Sequence, residues 1–225
     1  MTTTPARLAV LASGGGSNLQ AIYDDLEDRG ANAAAKLALV VSDRAAAGAL
    51  DRARGWKVPA VHLAKDRNDS LGALLAEHDI THVALAGYLR LIPTEVVRVF
   101  HGRMINVHPA LLPAFGGPGM YGAKVHTAVL KSGARVSGPT VHFVSEQYDE
   151  GAIIAQWPVP VRSDDTPESL AARVLAVEHR IFPWCLHAVA NGQITLGADG
   201  RTKGAPAYDF NVFAPEPRQR HPFAG

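Results

Sequence analysis

The chain has 225 residues, with 22 Lys and Arg against 21 Asp and Glu for a formal charge of +1, and it is 47% hydrophobic and 19% charged. This is the composition of a folded globular protein, long enough to bury a sizeable core as one large α/β domain or two small ones. The near-neutral balance argues against a polyanion-binding surface, and no apolar run approaches the roughly 18 residues of a membrane span, so neither nucleic acid nor a membrane is an expected partner.

The amino-terminal stretch MTTTPARLAVLAS lacks a signal-peptide profile. Within it, RLAVLAS (Arg7 to Ser13) reads as a short buried strand. The turn SGGGSN follows, then a helix near Asn18 to Arg29. Gly14, Gly15 and Gly16 permit positive φ and close approach of a ligand to the backbone, while Ser17 and Asn18 are placed to cap the helix. The free N–H groups of a helix start suit a phosphate. The turn lacks the Lys-Ser/Thr ending of a P-loop, and Leu19 stands where a dinucleotide fingerprint has its third glycine. A phosphomonoester therefore fits better than a dinucleotide, although Asp43, near the end of the next strand, keeps a nucleotide reading open.

LALVVSD (Leu37 to Asp43) is the second strand, followed by a helix over Ala45 to Arg54 and a third strand at Val58 to Leu63. A helix near Ser70 to His78 and a strand HVALAG (His82 to Gly87) continue the alternation. His78 and His82 have the i, i+4 spacing of a zinc helix but read HDITH, without the glutamate of a metalloprotease and across a helix-to-strand junction, so no metal site is expected. A short helix over Thr94 to Phe100 leads into MINVHPALLP. Asn106 and His108 are two apart on a strand and share one face, and Pro109 stops that strand just beyond them. Continuous apolar strands alternating with helices indicate a mostly parallel sheet covered on both faces, with ligands bound outside the carboxyl ends of its strands.

After Pro113 the pattern changes. Ala114 to Lys124 is glycine-rich and reads as a mobile loop beside the site, and HTAVLKSG as a short helix stopped by Gly133. GPTVHFVSE and AIIAQWPVPV are two strands, with Pro158 and Pro160 confining the second to an edge or its end. Between them Asp149 precedes Gly151, where a strand runs into a loop. An imidazole, an amide donor and a carboxylate at strand ends are suited to stabilising a tetrahedral intermediate and moving its protons.

Thr166 to Ala190 opens with Thr-Pro-Glu and carries an apolar stripe at Leu170, Val174, Val177 and Ile181, with Pro183 expected to kink or end its first part. The single Cys185, in IFPWCLHAV, reads as core and excludes an intramolecular disulfide or a multi-cysteine metal site. A reducing cytoplasm fits that usage. QITLGADGRTK is a terminal hairpin, and 203–225 a proline-containing tail. The fold class expected is a single α/β, Rossmann-like domain over 1–202, with a mostly parallel central sheet, helices on both faces and an antiparallel carboxy-terminal part.

The stretches LASGGGSNLQAI, LAGYLRLI, INVHPALLP, TVHFVSEQYDEG and RVLAVEHRIFP, in this order, resemble the phosphoribosylglycinamide formyltransferases, the folate-dependent glycinamide ribonucleotide transformylases of purine synthesis. That resemblance implies formyl transfer from 10-formyltetrahydrofolate, as co-substrate and without a metal, to the amine of 5'-phosphoribosylglycinamide. It implies a catalytic trio of Asn106, His108 and Asp149. It places the ribonucleotide phosphate on Gly16, Ser17 and Asn18 and the ribose on Glu178. Leu89, Arg90, Leu91 and Ile92 match the segment lining the pterin pocket, to which Asn106 also belongs, and Arg67 or its neighbour Asn68 matches a folate contact. The family contains monomers and dimers, so a homodimer is possible.

The chain departs from the common pattern at Gly116 to Lys124, where the loop is longer and Lys124 replaces the first of two histidines, leaving His126. Three rivals fit less well. A methionyl-tRNA formyltransferase is expected to add a carboxy-terminal tRNA domain and a basic excess. A formyltetrahydrofolate hydrolase is expected to carry an amino-terminal regulatory domain and no phosphate loop. A nucleotide-sensing Rossmann module gives no reason for the paired Asn106 and His108.

Overall fold

The computed structural model describes residues 4–204. The expected tail, 203–225, lies outside the described residues except for its first two positions. The central strand β1 (Ala6–Leu11) alternates its side chains between two cores: Leu8 and Val10 face one, Ala9 and Leu11 the other, and all four are fully buried. Burial on both faces is why the strand reads as an unbroken apolar run.

The seven-stranded sheet has the order β3-β2-β1-β4-β5-β7-β8. In chain order its strands are β1, β2 (Ala35–Ser42), β3 (Ala60–His62), β4 (His82–Leu85), β5 (Met104–His108), β7 (Thr140–Phe143) and β8 (Ile153–Gln156). The first five pair in parallel, and β7 and β8 add antiparallel strands at one side. From β1 the chain builds outward through β2 and β3, then returns to start again beside β1 at β4. The strand order therefore reverses between β1 and β4, and a crevice opens at their carboxyl ends.

Helices α1 (Ser17–Arg29), α2 (Gly48–Gly55), α5 (Ala123–Ser132) and α6 (Pro167–Ala190) pack on one face through Leu19, Ile22, Leu50, Val129 and Phe182. Helices α3 (Leu71–Glu77) and α4 (Thr94–Val99) cover the other through Leu71, Leu75, Val96 and Val97. Each fully buried side chain of this size contributes roughly 1.5–3 kcal/mol of hydrophobic stabilisation. Among the described residues no helix is long and apolar enough to cross a membrane.

β8 is the sheet's edge strand and ends at Gln156, before Pro158, as a proline without an N–H requires. A two-stranded ribbon of β6 (Val136–Ser137) and β9 (Val159–Pro160) was not anticipated from the sequence. The terminal hairpin is β10 (Thr195–Leu196) with β11 (Thr202–Lys203).

Three local expectations change. Helix α5 begins at Ala123, so Lys124 belongs to its first turn rather than to the loop, while Gly133 ends it in a left-handed conformation as expected. Helix α6 starts on a capping box between Thr166 and Ser169 with Pro167 in its first turn, and it does not end at Pro183. It continues to Ala190, because Phe182, Cys185, Leu186 and Val189 are buried in the same core as the first half and hold the second half in line. Finally, Ser17 and Asn18 make no side-chain cap on α1. Its N-cap is Gly16, at φ 77°, and the Asn18 side chain is turned elsewhere.

Burial sets the pH response of this fold. His82 on β4, His108 on β5, His126 on α5, and His179 and His187 on α6 all have their pKa lowered from the ordinary 6.5, in each case chiefly by desolvation of the imidazolium. As pH falls below that value the unfolded chain takes up these protons first, so acidification favours unfolding. Glu178, raised by burial, acts in the opposite direction but is a single group. The denaturant midpoint is therefore expected to be lower at about pH 5.5 than at about pH 7.5, and His179→Gln to reduce the difference. Equal midpoints at the two pH values would contradict this reading of the buried histidines.

Candidate active site

A cleft of about 720 Å³ lies at the reversal of strand order, lined by the loops after β1, β4 and β5, the start of α5 and one side of α6. That volume suits a small-molecule site. The loops after β1 and β4 are joined across the crevice: Ser13 N–H donates to the Gly87 carbonyl at 3.1 Å, and Leu89 N–H donates to Ser13 Oγ at 2.9 Å.

Asn106, His108 and Asp149 meet in this cleft. The first two project from the end of β5, one residue apart in the pleat, and Asp149 comes from the turn between β7 and β8 at φ 58°. His108 Nε2 lies 2.8 Å from the carbonyl oxygen of Phe115, itself at φ 57°. A carbonyl only accepts, so Nε2 carries a proton and Nδ1 is the nitrogen left to face Asp149, 3.4 Å from Oδ2. Phe115 and Asp149 are two of only four non-glycine residues with positive φ among the described residues, and such strain gathers where surrounding structure enforces it for function.

Asp149 Oδ2 also accepts from Gly117 N–H at 2.9 Å, so the glycine-rich segment after β5 is anchored on the same carboxylate. The next glycine back, Gly116, passes so close that an added Cβ would stand 3.2 Å from Asp149 Cβ and in collision with Leu112. The Asp149 pKa is lowered: burial pushes it up, but the neighbouring His142, the charge of His108 and the Gly117 N–H together outweigh that. The His108 pKa is lowered as well, by desolvation, with Asp149 and the Phe115 carbonyl opposing. The carboxylate is thus anionic and the imidazole resists protonation.

His142 is the member that sequence reasoning missed. It lies directly opposite Asn106 in the antiparallel register of β5 and β7. Its Nδ1 is 2.8 Å from the Phe143 carbonyl and so carries the proton, which leaves Nε2 to accept from Asn106 Nδ2 at 3.0 Å. His142 Nε2 is also 3.7 Å from Asp149 Oδ1. The signal was present in TVHFV, where His142 alternates with the buried Val141 and Phe143, but the partner that gives it meaning lies 36 residues away.

At the other side of the cleft Asn18 Nδ2 donates to Glu178 Oε2 at 2.6 Å, joining α1 to α6. Both residues are buried, Asn18 Oδ1 has no partner, and burial raises the Glu178 pKa. Gly14 and Gly15 form the exposed rim of the turn, with open space where a Cβ would stand. Gly16 is buried beneath them, where an added Cβ would lie 2.9 Å from Ala49 Cα. Its glycine character is thus required by the packing of α1 on α2. Neither Gly16 nor Ser17 lines the cleft with its own atoms.

Leu89, Arg90, Leu91 and Ile92 all line the cleft. Arg90 is held in place by the carbonyls of Leu63 and Asp43 and by the Asp43 carboxylate at 3.5 Å. Arg67 is exposed and stands outside the cleft, whereas Arg44, not singled out from sequence, lines it. Lys124 turns to Tyr121, with Nζ 4.7 Å from the ring centre, and His126 lines the cleft with Nδ1 unpartnered. No group of three or more His, Cys, Asp or Glu among the described residues is arranged to hold a metal ion.

The formyl transferase family model matches residues 6–186, most of the chain and the whole of this site. A chloroplastic phosphoribosylglycinamide formyltransferase of Arabidopsis thaliana is 44% identical over 202 residues, covering 86% of this chain and 68% of the plant protein. The trifunctional purine biosynthetic protein adenosine-3 of Bos taurus is 42% identical over 203 residues, 87% of this chain but 19% of that protein. The crystal structure of glycinamide ribonucleotide transformylase 1 from Symbiobacterium toebii superposes with a TM-score of 0.80 at 38% identity, covering 88% of this chain and 93% of that one. With the cleft, the strand-end Asn106 and His108 and these similarities together, the chain belongs to the formyl transferase family, among its phosphoribosylglycinamide formyltransferases.

Proposed function

We propose that Asn106, His108 and Asp149 carry the formyl group of 10-formyltetrahydrofolate to the glycinamide amine of 5'-phosphoribosylglycinamide by direct attack. The observation that carries this reading is the convergence of an amide donor, an imidazole and an anionic carboxylate within one cleft, with the imidazole held in a single orientation. The amine nitrogen attacks the formyl carbon, and the carbonyl electron pair moves onto oxygen. Asn106, oriented by His142, donates a hydrogen to that oxyanion, and one such donor is typically worth about 3 kcal/mol of barrier. Asp149 accepts the proton leaving the amine, directly or through water. His108, protonated at Nδ1 with help from Asp149, stabilises the oxyanion and delivers a proton to N10 of the folate as the carbon–nitrogen bond breaks.

The substrates fit the two ends of the cleft. The apolar Leu89, Leu91, Ile92 and Val144 form a wall suited to a flat heteroaromatic ring, beside the main chain of the loop after β4. At the other end the N-terminus of α1 at Gly16, Ser17 and Asn18 is assigned to the phosphate, which reaches it over the open rim of Gly14 and Gly15. Glu178 and the unpartnered Asn18 Oδ1 suit the ribose hydroxyls. Arg67, outside the cleft, is assigned to the part of the folate that extends beyond it. The described site is built from one chain, so this reading holds for a monomer or a homodimer. The buried, free Cys185 suits a reducing cytoplasm.

His108→Ala and Asp149→Ala are each expected to lower turnover by about 10² to 10⁴ while ribonucleotide binding persists. Formyl transfer followed through the absorbance of the folate product tests this, and a variant keeping most of the wild-type turnover removes that residue from the trio.

Gly14→Val tests the phosphate end without the packing conflict that any side chain at Gly16 would cause. It should raise the Michaelis constant for the ribonucleotide well above any change for the folate, and equal weakening of both would argue against a dedicated phosphate turn.

The segment 116–122, anchored on Asp149 through Gly117, is expected to close over the ribonucleotide and exclude water. Hydrogen exchange of residues 116–124 should slow when ribonucleotide is added, and unchanged exchange would reduce the segment to a passive insertion.

A further inference from the structure

After β5 ends at His108, the chain makes a short excursion before the Phe115 carbonyl returns to meet the Nε2 of that same histidine. A buried polar knot holds the excursion. Thr140, the register partner of His108 on β7, is fully buried. Its hydroxyl donates to the Ala110 carbonyl at 2.6 Å and accepts from Leu112 N–H and from Gln156 Nε2, each at 3.0 Å. Gln156, two strands from β5, donates a second hydrogen to the Leu112 carbonyl at 2.8 Å. One hydroxyl hydrogen and two lone pairs are thereby all in use, so the segment's position is over-determined.

The consequence reaches His108. Taken alone, a neutral imidazole beside an anionic carboxylate would place its proton on the nitrogen facing that carboxylate, here Nδ1. The Phe115 carbonyl opposes this, because with the proton on Nδ1 the Nε2 lone pair would point at a carbonyl oxygen 2.8 Å away. We propose that Thr140 and Gln156 are positioning residues that hold the Ala110–Leu112 segment so that the Phe115 carbonyl keeps the His108 proton on Nε2 and leaves Nδ1 toward Asp149 and the cleft. This rests on the catalytic reading of His108 given above. It adds a role for two side chains that do not line the cleft. Thr140→Val keeps the shape and removes all three hydrogen bonds, which frees the segment and releases the tautomer.

The test combines steady-state kinetics with nitrogen-15 spectra of labelled histidine, the His108 signals being identified by their loss in His108→Asn. In the wild type, His108 should show the Nε2–H pattern. Thr140→Val should shift it toward a mixture of tautomers and lower kcat by about 10- to 100-fold, with both Michaelis constants close to wild type, as a small misplacement of a reacting group does. Thr140→Ser should restore both. Gln156→Met should act in the same direction and serves as the deciding variant if Thr140→Val does not fold. An unchanged His108 pattern in the folded variant overturns the proposal, whatever happens to kcat. Wild-type turnover in His108→Ala would instead sink the catalytic reading, while the tautomer spectra would still decide the positioning role.

Discussion

The carboxylate of Asp149 ties three elements together: the end of β5 at His108, β7 at His142 and the glycine-rich segment at Gly117. A buried carboxylate without such partners would be protonated or would not be buried at all. Each partner in turn is constrained by the contact. His108 is placed between Asp149 and the Phe115 carbonyl, and His142 between Asp149, Asn106 and its own following carbonyl. Taking away this one charge would remove the partner that two imidazoles and a loop share.

The sheet explains why those pieces meet. Parallel strands from β1 to β5 deliver their carboxyl ends to one edge, and the reversal between β1 and β4 leaves that edge uncovered by crossover helices. Strand β7 runs antiparallel, from Thr140 opposite His108 to Phe143 opposite Ile105, so the turn to β8 leaves from the far side of β5 and folds back to set the Asp149 carboxylate against His108 and His142. The helices supply the opposite wall. Asn18 and Glu178, 160 residues apart, clamp the beginning of α1 to the middle of α6 and leave one buried amide oxygen without a partner.

The site also shows how glycine serves two different needs within a few residues. Gly16 is buried and required by contact with α2, whereas Gly14 and Gly15 stand in open space where a ligand can approach the main chain. From sequence the three are equivalent, since only the distance to Ala49 separates them. The same holds for Asn18, which sequence places as a helix cap and the fold redirects to a carboxylate on another helix.

What the sequence by itself determined follows from local rules. Strand alternation puts Asn106 and His108 on one face, Pro109 and Pro158 end their strands, and Thr166-Pro167 starts the long helix, because each depends on neighbouring residues alone. What only the tertiary structure decided depends on pairing across the chain. His142 acquires its role from the antiparallel register opposite Asn106, and Thr140 from its contacts with Ala110, Leu112 and Gln156. Arg67, matched by position in the chain, lies outside the cleft, while Arg44 lines it. Pro183 continues a helix that local propensity would have ended, because burial of the residues around it outweighs one missing backbone hydrogen bond. Local chemistry is written in adjacent residues, but a register or a packing contact is chosen by the whole core, and no short window of sequence contains it.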